Sequence, residues 1–345
     1  MRVLQVMAGA EFGGAEAFFV RLVIGLHKAG LDQRVIIRKN EQRAQALRHA
    51  GIDPVELSFG GRFDLKTGLM IKRQLREFRP QLALSWMNRA TSKMPRRRPA
   101  DLDYVLAARL GGYYNLKYYR NCDHLIGNTQ DICDYLTKEG WPEDRTHYLP
   151  NFVAADHRPP APRAALHIPE RAKMILTLGR LHTNKAFDTL IRAMVAVPDA
   201  YLVIAGEGPE REALTALAQE LGVRPRIRML GWRDDVPELM ASCDLFVCPS
   251  RHEPLGNVVI EGWAQNRPVV AAASQGPVQL IKDGVDGLLT PIDDAPAMAT
   301  AIKRVLQDDT LAGDLAQAGR ARYEREFTEG RVVRRYLDFF QEIAG

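Results

Sequence analysis

Short apolar runs alternate with longer amphipathic segments along the whole chain. The short runs are bounded by turn residues and predict buried strands, while apolar residues at helical spacing between them predict helices. This alternation is typical of βαβ units with a parallel sheet. Strands are predicted at Arg2–Met7, Arg34–Arg38, Leu82–Trp86, Tyr104–Ala108 and Leu125–Asn128, and then at Met174–Leu178, Tyr201–Ala205, Ile227–Leu230, Leu245–Pro249 and Pro268–Ala272.

The strand and helix pattern occurs twice, on either side of a segment without periodicity. Residues 150–173 (PNFVAADHRPPAPRAALHIPERAK) are rich in Pro and Ala, as is typical of a linker. We therefore expect an α/β fold with two Rossmann-like domains at residues 1–155 and 156–325, followed by a segment at 326–345. This last segment contains a predicted amphipathic helix, Gly330–Ile343. Two such sheets imply an interdomain cleft, with ligands at the carboxyl ends of the strands.

The composition is that of an ordinary soluble globular protein. Of 345 residues, 46% are hydrophobic and 26% are charged. The opening MRVLQVMAGAEFGG contains an apolar run that is too short for a signal peptide or a membrane span, so we expect a cytoplasmic protein. The four cysteines have no CxxC spacing, and we expect neither a disulfide nor a zinc site.

Positive charge is concentrated in the first half of the chain. Residues 1–165 carry 26 Lys and Arg against 17 Asp and Glu, whereas the remaining residues carry 21 against 25. We expect no nucleic-acid partner; a peripheral contact with an anionic membrane surface and a merely solvated basic loop remain alternatives. The membrane hypothesis rests on the cations Lys93, Arg96, Arg97 and Arg98, and on the interleaved Trp86, Met87, Met94, Tyr113 and Tyr114.

A glycine-rich loop directly follows the first predicted strand. Gly9–Glu16 (GAEFGGAE) opens a helix, and Gly13 and Gly14 would let backbone amides approach an anionic group at the positive end of that helix. The spacing is not GxGxxG, so the dinucleotide fingerprint is absent. A tight turn without a ligand is the alternative.

Two cations follow the first predicted strand of the second half. Arg180 and Lys185, in the segment GRLHTNK, stand at a strand-to-helix junction where ligands bind in such sheets. A guanidinium fork and an ammonium there can converge on a diphosphate, and they would stabilise the negative charge that a leaving diphosphate gains in the transition state. Two solvated loop charges are the alternative.

Two carboxylates frame the most specific motif of the chain. Glu253 and Glu261 lie in PSRHEPLGNVVIEGWA, which runs from a strand end through a Pro and Gly turn into an apolar helix. Backbone amides around the start of that helix, at Leu255, Gly256, Asn257 and Val258, suit an anionic phosphate. Carboxylates accept hydrogen bonds from hydroxyls, so one could hold a sugar and the other a ribose.

The second half closely resembles the nucleotide-sugar domain of family four retaining glycosyltransferases, a group that includes bacterial polysaccharide and lipopolysaccharide transferases and sucrose-phosphate synthases. The matching segments cover nearly all of residues 174–306, and the first half matches more loosely through FGGAE and its strand order. The segments are ILTLGRLHTNKAFDTLIRA, YLVIAGEGPEREAL, IRMLGWRDDVPELMASCDLFVCPS, the motif with the two glutamates, and GPVQLIKDGVDGLLTPIDD.

The resemblance implies a fold and a set of residue roles. The fold would be the GT-B type, with facing Rossmann-like halves and a C-terminal helix that packs on the N-terminal, acceptor-side domain. Arg180 and Lys185 would bind the donor diphosphate, and Glu253 the hydroxyls of the transferred sugar; these three are the expected catalytic residues. Donor contacts are also expected from Gly13, Gly14, Leu255, Gly256, Asn257 and Val258, from Gly231 and Trp232 beside the base, and from Glu261 at the ribose.

The chain departs from the family pattern at two positions. Ala186 stands where relatives commonly have Gly after the Lys. More importantly, many relatives have a His near the end of a middle strand of the first domain, where this chain has Arg109 in VLAARLGGYYN. We therefore assign no catalytic His, and the resemblance implies a front-face displacement in which the leaving phosphate oxygen accepts the proton of the acceptor.

The predicted function is a retaining, metal-independent hexosyltransferase in lipopolysaccharide or polysaccharide synthesis. It would move a sugar from a UDP- or GDP-linked donor to a glycan or lipid-linked acceptor, with no cofactor. A sugar-nucleotide epimerase and a non-catalytic sugar-nucleotide-binding protein are the alternatives, while an NAD-linked oxidoreductase is disfavoured by the absence of GxGxxG. A metal site at Asp101 and Asp103 would lie in the wrong domain for the donor.

Overall fold

The chain folds into two compact units. The computed structural model describes residues 1–11, 13–61, 64–153 and 158–345. The first unit contains Met1–Asn151 and Glu329–Gly345, and the second unit contains Phe152–Thr328. The domain boundary expected at residues 155 and 156 lies outside the described residues. The expected boundary at 325 lies shortly before the chain returns to the first unit.

Each unit is built on one parallel sheet. The sheet of the first unit has seven strands in the order β3-β2-β1-β4-β5-β6-β7, and that of the second has six in the order β10-β9-β8-β11-β12-β13. The strands are β1 (Arg2–Met7), β2 (Asp32–Arg38), β3 (Val55–Leu57), β4 (Leu82–Trp86), β5 (Val105–Leu110), β6 (His124–Gly127), β7 (Thr146–Tyr148), β8 (Lys173–Leu178), β9 (Ala200–Ala205), β10 (Ile227–Gly231), β11 (Leu245–Cys248), β12 (Val269–Ala272) and β13 (Leu288–Thr290).

Helices follow most of the strands, as the alternating pattern predicts. They are α1 (Gly14–Lys28), α2 (Glu41–His49), α3 (Leu65–Phe78), α4 (Met87–Thr91), α5 (Gln130–Lys138), α6 (Phe187–Ala193), α7 (Arg211–Glu220), α8 (Val236–Ser242), α9 (Asn257–Ala264), α10 (Gln275–Leu280), α11 (Ala295–Gln307), α12 (Asp309–Glu326) and α13 (Glu329–Ala344). The predicted C-terminal helix is confirmed as α13, which belongs to the first unit.

All ten strands predicted from the apolar runs are confirmed, with ends that differ by at most two residues. The pattern missed β3, β7 and β13. Each of these has three residues and lies at an edge of its sheet. Such short strands contain too few residues for an apolar run to stand out.

The central strands of the first sheet are buried, because helices cover both faces of a parallel sheet. All five residues of β4 are buried, and only the first residue of β1 is exposed. Their polar side chains are paired with each other: the indole Nε1 of Trp86 donates to Gln5 Oε1 at 3.1 Å, and the amide of Gln5 donates to Gln33 Oε1 at 3.0 Å. These pairs satisfy groups that would otherwise destabilise the core.

Asp and Asn side chains cap several helices at the positions expected for N-caps. Asn40 accepts from the amide of Arg43 at the start of α2, and Asp294 accepts from that of Ala297 at the start of α11. By contrast, α1 and α9 begin after Gly13 and Gly256 without a side-chain cap. Their first amides therefore depend on other partners or on a ligand.

Arg109 is a cation in the core of the first unit. It lies on β5 with 1% of its surface exposed. Its Nε donates to the hydroxyl of Tyr336 on α13 at 2.8 Å, and an Nη donates to Asn151 Oδ1 at 2.5 Å. The guanidinium also lies 4.6 Å from the ring centre of Phe18 and 4.8 Å from that of Trp86. Hydrogen bonds and ring faces thus replace the water that a buried charge loses.

The C-terminal helix completes the core of the first unit. Its apolar face buries Val332, Val333, Tyr336, Phe339 and Phe340. Burial raises the pKa of Tyr336, and the positive charge of Arg109 partly offsets that effect. The Tyr336 hydroxyl therefore stays neutral and acts as the acceptor for the Arg109 guanidinium.

In the second unit, α9 is fixed by the tryptophan at its end. Trp263 is fully buried, and its indole Nε1 donates to the carbonyl of Asp286 at 2.7 Å. Phe327 packs nearby, with ring centres 6.3 Å apart. These contacts anchor the carboxyl end of α9 in the core of the second unit.

We predict that Tyr336→Phe destabilises the first unit by about 1–3 kcal/mol, because it leaves a buried guanidinium N–H without its acceptor. The measurement is urea unfolding followed by circular dichroism. Tyr118→Phe is the control, since Tyr118 is 39% exposed and its loss should change the free energy of unfolding by less than about 0.5 kcal/mol. Equal stability of Tyr336→Phe and wild type would show that the Arg109 contact does not anchor α13.

Candidate functional site

The candidate residues of the second unit lie on loops at one edge of its sheet. Arg180 and Lys185 follow β8, Gly231 and Trp232 end and follow β10, and Glu253 follows β11. All these strands are parallel, so the loops emerge at the carboxyl edge of the sheet. In open α/β sheets, ligands bind at this edge.

Lys185 and Glu253 form an ion pair between two of these loops. Lys185 ends the short helical turn Thr183–Lys185, and its Nζ donates to Oε2 of Glu253. The two side chains are 24% and 11% exposed, respectively. An ammonium has three donors, so Lys185 can hold Glu253 and still donate to a ligand.

Arg180 is the free cation of the site. It is exposed, and the described part of the chain offers it no ion-pair or hydrogen-bond partner. A guanidinium in this state keeps its full set of donors for an anion. Arg180 and Lys185 therefore differ: the first is unpartnered, and the second is already held by a carboxylate.

Arg251 ties together the loops that carry Lys185 and Glu253. Its Nη1 donates to the carbonyl of Thr183 at 2.6 Å, and its guanidinium forms a bidentate pair with Asp188 at 2.9 and 2.7 Å. A second ion pair joins it to Asp293 at 2.6 Å. Burial alone would raise the pKa of Asp188, but the hydrogen bonds and charge of Arg251 lower it. Asp188 thus stays ionised and keeps the loops in place.

The turn from Glu253 to Gly256 is shaped by a close backbone contact. The amide of Gly276 donates to the carbonyl of Glu253 at 2.7 Å. A Cβ at Gly276 would stand 2.6 Å from both that carbonyl oxygen and the nitrogen of Gly256. Gly256 itself has φ of 67°, a left-handed conformation that favours glycine. A side chain at Gly276 would therefore force this turn to shift, and the conformation of Gly256 favours glycine.

Helix α9 carries the remaining donor-side candidates. Leu255 and Gly256 precede it, Asn257 and Val258 form its first residues, and Glu261 lies one turn further on, half-buried. With no side-chain cap, the amino end of α9 presents backbone amides and a partial positive charge. This arrangement suits a phosphate, with a carboxylate one turn away for a hydroxyl.

Gly231 and Trp232 form a platform at the end of β10. Gly231 is buried, and its carbonyl accepts from the amide of Gly206 at 2.8 Å. Trp232 is 77% exposed, and its indole donates to Asp234 at 3.1 Å. An exposed indole held in this way can stack on a planar ring such as a nucleobase.

The glycine-rich loop belongs to the first unit, whereas the other donor-side candidates belong to the second unit. Here the anion beside Gly13 is a side chain of the protein: Glu16 accepts from the amide of Ala10 at 2.7 Å. A Cβ on Gly13 would stand 2.3 Å from Oε2 of Glu16. Gly13 therefore makes room for Glu16, while Gly14 has open space around it. Phe12 lies outside the described residues.

The basic segment separates into bound and free charges. Arg98 pairs with Asp123, and Lys93 Nζ donates to the carbonyls of Gly61 and Asp64 at 3.0 and 2.8 Å. Arg96 and Arg97 are exposed. Among the described residues, no helix is long and apolar enough to cross a bilayer.

The apolar part of the membrane hypothesis is wrong for two residues. Trp86 is fully buried beside Arg109, and Met94 is 5% exposed in the core of the first unit. Both were expected at an interface because a sequence pattern does not distinguish a core tryptophan from a surface one. Tyr113, by contrast, is 46% exposed and donates to Asp131.

Among the described residues, Asp101 and Asp103 do not belong to a cluster of metal-ligating side chains. Asp101 lies 3.4 Å from Nε of Arg76 in an ion pair. Within the described ranges there is no group of three or more His, Cys, Asp or Glu side chains placed to hold a metal ion.

Two family models together match nearly the whole chain. Residues 12–157 match Glycosyltransferase Family 4, and residues 160–322 match Glycosyl transferases group 1. Two lipopolysaccharide core biosynthesis glycosyltransferases of Rhizobium meliloti are similar throughout: LpsE is 35% identical over 98% of both chains, and LpsD is 36% identical over 99% of this chain and 98% of its own. The protein belongs to the family 4 glycosyltransferases.

Solved structures agree on the fold of this glycosyltransferase. Anabaena HepE, solved in complex with UDP, has a TM-score of 0.88 at 19% identity and covers 99% of this chain and 100% of its own. WaaG, a glycosyltransferase involved in lipopolysaccharide biosynthesis, has a TM-score of 0.70 at 18% identity, over 98% and 99% of the two chains. At these identities the likeness shows the fold alone, and it confirms the predicted GT-B class.

Arg251 and Arg109 are the residues of the glycosyltransferase that sequence reasoning did not assign. Arg251 stands inside the most specific motif, but its partners Asp188 and Asp293 are distant in sequence. From the sequence alone, Arg109 stands out only because many relatives have a His at about its place. The sequence signal for its burial is that it is the one charged residue in the apolar run VLAARL. A charge inside a buried strand needs a buried hydrogen-bond partner.

Proposed function

We propose that this glycosyltransferase binds a nucleotide diphosphate sugar on its second unit and transfers the sugar with retention of configuration, without a metal ion. The observation that carries the proposal is the arrangement at the carboxyl edge of the second sheet: a free Arg180, an ion-paired Lys185 and the uncapped end of α9. The UDP complex of HepE supports a uridine diphosphate donor.

Arg180 and Lys185 would neutralise the leaving diphosphate. Charge grows on this group as the glycosidic bond breaks, so fixed cations stabilise the transition state more than the ground state. Lys185 is already oriented by Glu253, and Arg251 fixes its loop, so little reorganisation is needed when the donor binds. Two cations and a helix end can do the work that a metal ion does in other transferases.

Glu253 and Glu261 would hold different parts of the donor. Glu253 stands at the turn before α9 and pairs with Lys185. It can therefore accept a hydrogen bond from a hydroxyl of the transferred sugar, next to the diphosphate. Glu261 lies one turn into the helix and would accept hydrogen bonds from the ribose hydroxyls. The exposed indole of Trp232 could stack on the base.

The acceptor oxygen would attack from the face that the diphosphate leaves, and the leaving phosphate oxygen would take its proton. Arg109 lies at about the place where many relatives have a His, and it is buried against Tyr336 and Asn151. It is therefore a core residue and not a proton acceptor. The chemistry then rests on positioning and charge stabilisation.

The acceptor would be a glycan or lipid-linked glycan of lipopolysaccharide synthesis. The names of the two Rhizobium meliloti relatives support this pathway. Hexosyl transfer and a cytoplasmic location at the inner face of the membrane stay predictions. An epimerase on the same scaffold would turn one sugar nucleotide into its epimer and would need no acceptor. Analysis of the products therefore distinguishes an epimerase from the proposed transferase.

The stereochemistry is tested on the wild-type protein with a panel of UDP- and GDP-sugars. We expect the anomeric configuration of the donor to be kept in the product, as read by proton NMR coupling constants. Addition of EDTA should leave the rate unchanged, because fixed cations replace the metal. An inverted product or a rate abolished by EDTA would contradict the retaining or the metal-independent assignment.

Lys185→Ala should lower kcat/KM by about a hundredfold, a few kcal/mol of lost charge stabilisation. The measurement is steady-state transfer from the preferred donor. Lys173→Ala is the matched control, because Lys173 also pairs with a carboxylate, Asp309, but does so on the surface away from the site. Wild-type turnover by Lys185→Ala would remove Lys185 from the mechanism.

The two glutamates should separate by their effect on nucleotide affinity. Glu261→Gln should weaken UDP binding in calorimetry by about tenfold, because the charged acceptor for the ribose is lost. Glu253→Gln should lower transfer by a similar factor and leave UDP affinity nearly unchanged, because the amide oxygen of a glutamine can still accept from Lys185. If both variants lose the same affinity for UDP, the proposed division of roles is incorrect.

A further inference from the structure

The first unit contains a cavity of about 700 Å³ with a strongly basic lining. Four cations line it, Arg89, Lys93, Arg96 and Lys117, together with Tyr118 and Asn121, and no described residue of its lining is a carboxylate. The volume is within the usual range for ligand pockets. A concave surface with charge of one sign concentrates the electric field and attracts ions of the opposite sign.

None of the four cations is neutralised by a carboxylate in the described structure. Lys93 donates only to backbone carbonyls, which leaves its charge uncompensated. Arg89 and Arg96 are exposed, and Lys117 lies 5.0 Å from the ring centre of Tyr118. Arg98 differs, because it is paired with Asp123 outside the cavity. Four uncompensated cations around one cavity repel each other unless an anion joins them.

Asp64, in the turn next to the cavity, uses its carboxylate for hydrogen bonds within that turn. Asp64 caps α3 and accepts from the hydroxyl of Thr67 at 2.6 Å and from the amide of Gly60 at 2.6 Å. These bonds, that of Thr67 foremost, hold the pKa of Asp64 well below its usual range. Asp64 thus stays ionised and shapes the wall of the cavity at Gly60 and Gly61, while Lys93 bonds to its backbone carbonyl and not to its carboxylate.

The cavity is lined by connecting segments of the first sheet. These segments join β3 to α3, β4 to β5 and β5 to β6. Tyr118 adds a ring that is 39% exposed, and Asn121 adds a side chain that can both donate and accept hydrogen bonds. Cations, an aromatic face and an amide together suit an anionic sugar better than a bare ion.

We propose that this cavity binds a phosphate or carboxylate group carried by the acceptor glycan. The inference rests on the proposed function, in which the second unit takes the donor and the first is left for the acceptor. Trp86 and Met94 are buried and provide no apolar anchor for a membrane contact, whereas Leu65 and Leu69 at the start of α3 are exposed. The four cations line a concave site of ligand size, and this shape favours an anionic group of the substrate over adsorption to a flat lipid surface.

The test compares Arg96→Ser/Lys117→Ser with a control of equal charge loss, Arg97→Ser/Arg120→Ser. Both control residues are exposed cations of the same unit and do not line the cavity. Inorganic pyrophosphate is titrated by calorimetry in the presence of saturating UDP, which occupies the proposed donor site. Wild type and control should bind pyrophosphate, and the cavity variant should bind it at least about tenfold more weakly.

The same variants are then assayed for transfer to a core oligosaccharide preparation. The cavity variant should show a raised acceptor KM, while its UDP affinity and its donor hydrolysis without acceptor match wild type. Equal pyrophosphate affinity in all three proteins, or no binding to wild type, would overturn the inference. UDP binding, measured in the same titrations, reports on the donor proposal separately.

Co-sedimentation with vesicles of phosphatidylcholine and phosphatidylglycerol decides between substrate and membrane. The inference expects both double variants to sediment alike, because they lose the same charge. A cavity variant that differs from the control only in vesicle binding, with an unchanged acceptor KM, would assign the cations to a lipid headgroup and contradict the inference.

Discussion

The bidentate pair between Arg251 and Asp188 is the contact on which the geometry of the candidate site depends. Arg251 follows β11 and Asp188 lies on α6, so their contact joins two crossover segments at one sheet edge. The same guanidinium holds the carbonyl of Thr183, two residues before Lys185. A backbone bond from the amide of His252 to the carbonyl of Asn184 at 3.2 Å joins the same loops, so Arg251 and this bond together hold the segments whose side chains form the Lys185–Glu253 ion pair.

This dependence explains why the site has two kinds of cation. Arg251 is charge-paired on two sides, by Asp188 and Asp293, so it serves the loops and has little capacity left for a ligand. Arg180 has no such partners and stays available. Lys185 is intermediate in its pairing, because one carboxylate holds it and its ammonium still has donors for a ligand. A site that must bind an anion and remain folded without it needs both kinds.

The sequence predicted the sheets and the motif residues well, because those features are local. Apolar runs located the long strands, and the motif around Glu253 placed the start of α9. The sequence could not predict contacts between residues that are distant along the chain. Arg98 and Arg96 stand in one basic run, but only Arg98 meets Asp123. Trp86 is followed in the sequence by basic and aromatic residues, yet its side chain is buried in the core. The sequence of β4 does not show which other segments cover this strand.

Two glycines show how a local signal can carry tertiary information. Gly256 adopts a left-handed φ, and Gly276 leaves room for the backbone of the turn from Glu253 to Gly256. A side chain at Gly276 would move the carbonyl of Glu253 or the amide of Gly256, whereas a Cβ at Gly256 would stand 2.7 Å from Cδ1 of Leu280 in a conformation that favours glycine. Since that turn sets both the carboxylate that faces Lys185 and the amino end of α9, the charge arrangement of the site is fixed by backbone sterics before any ligand arrives.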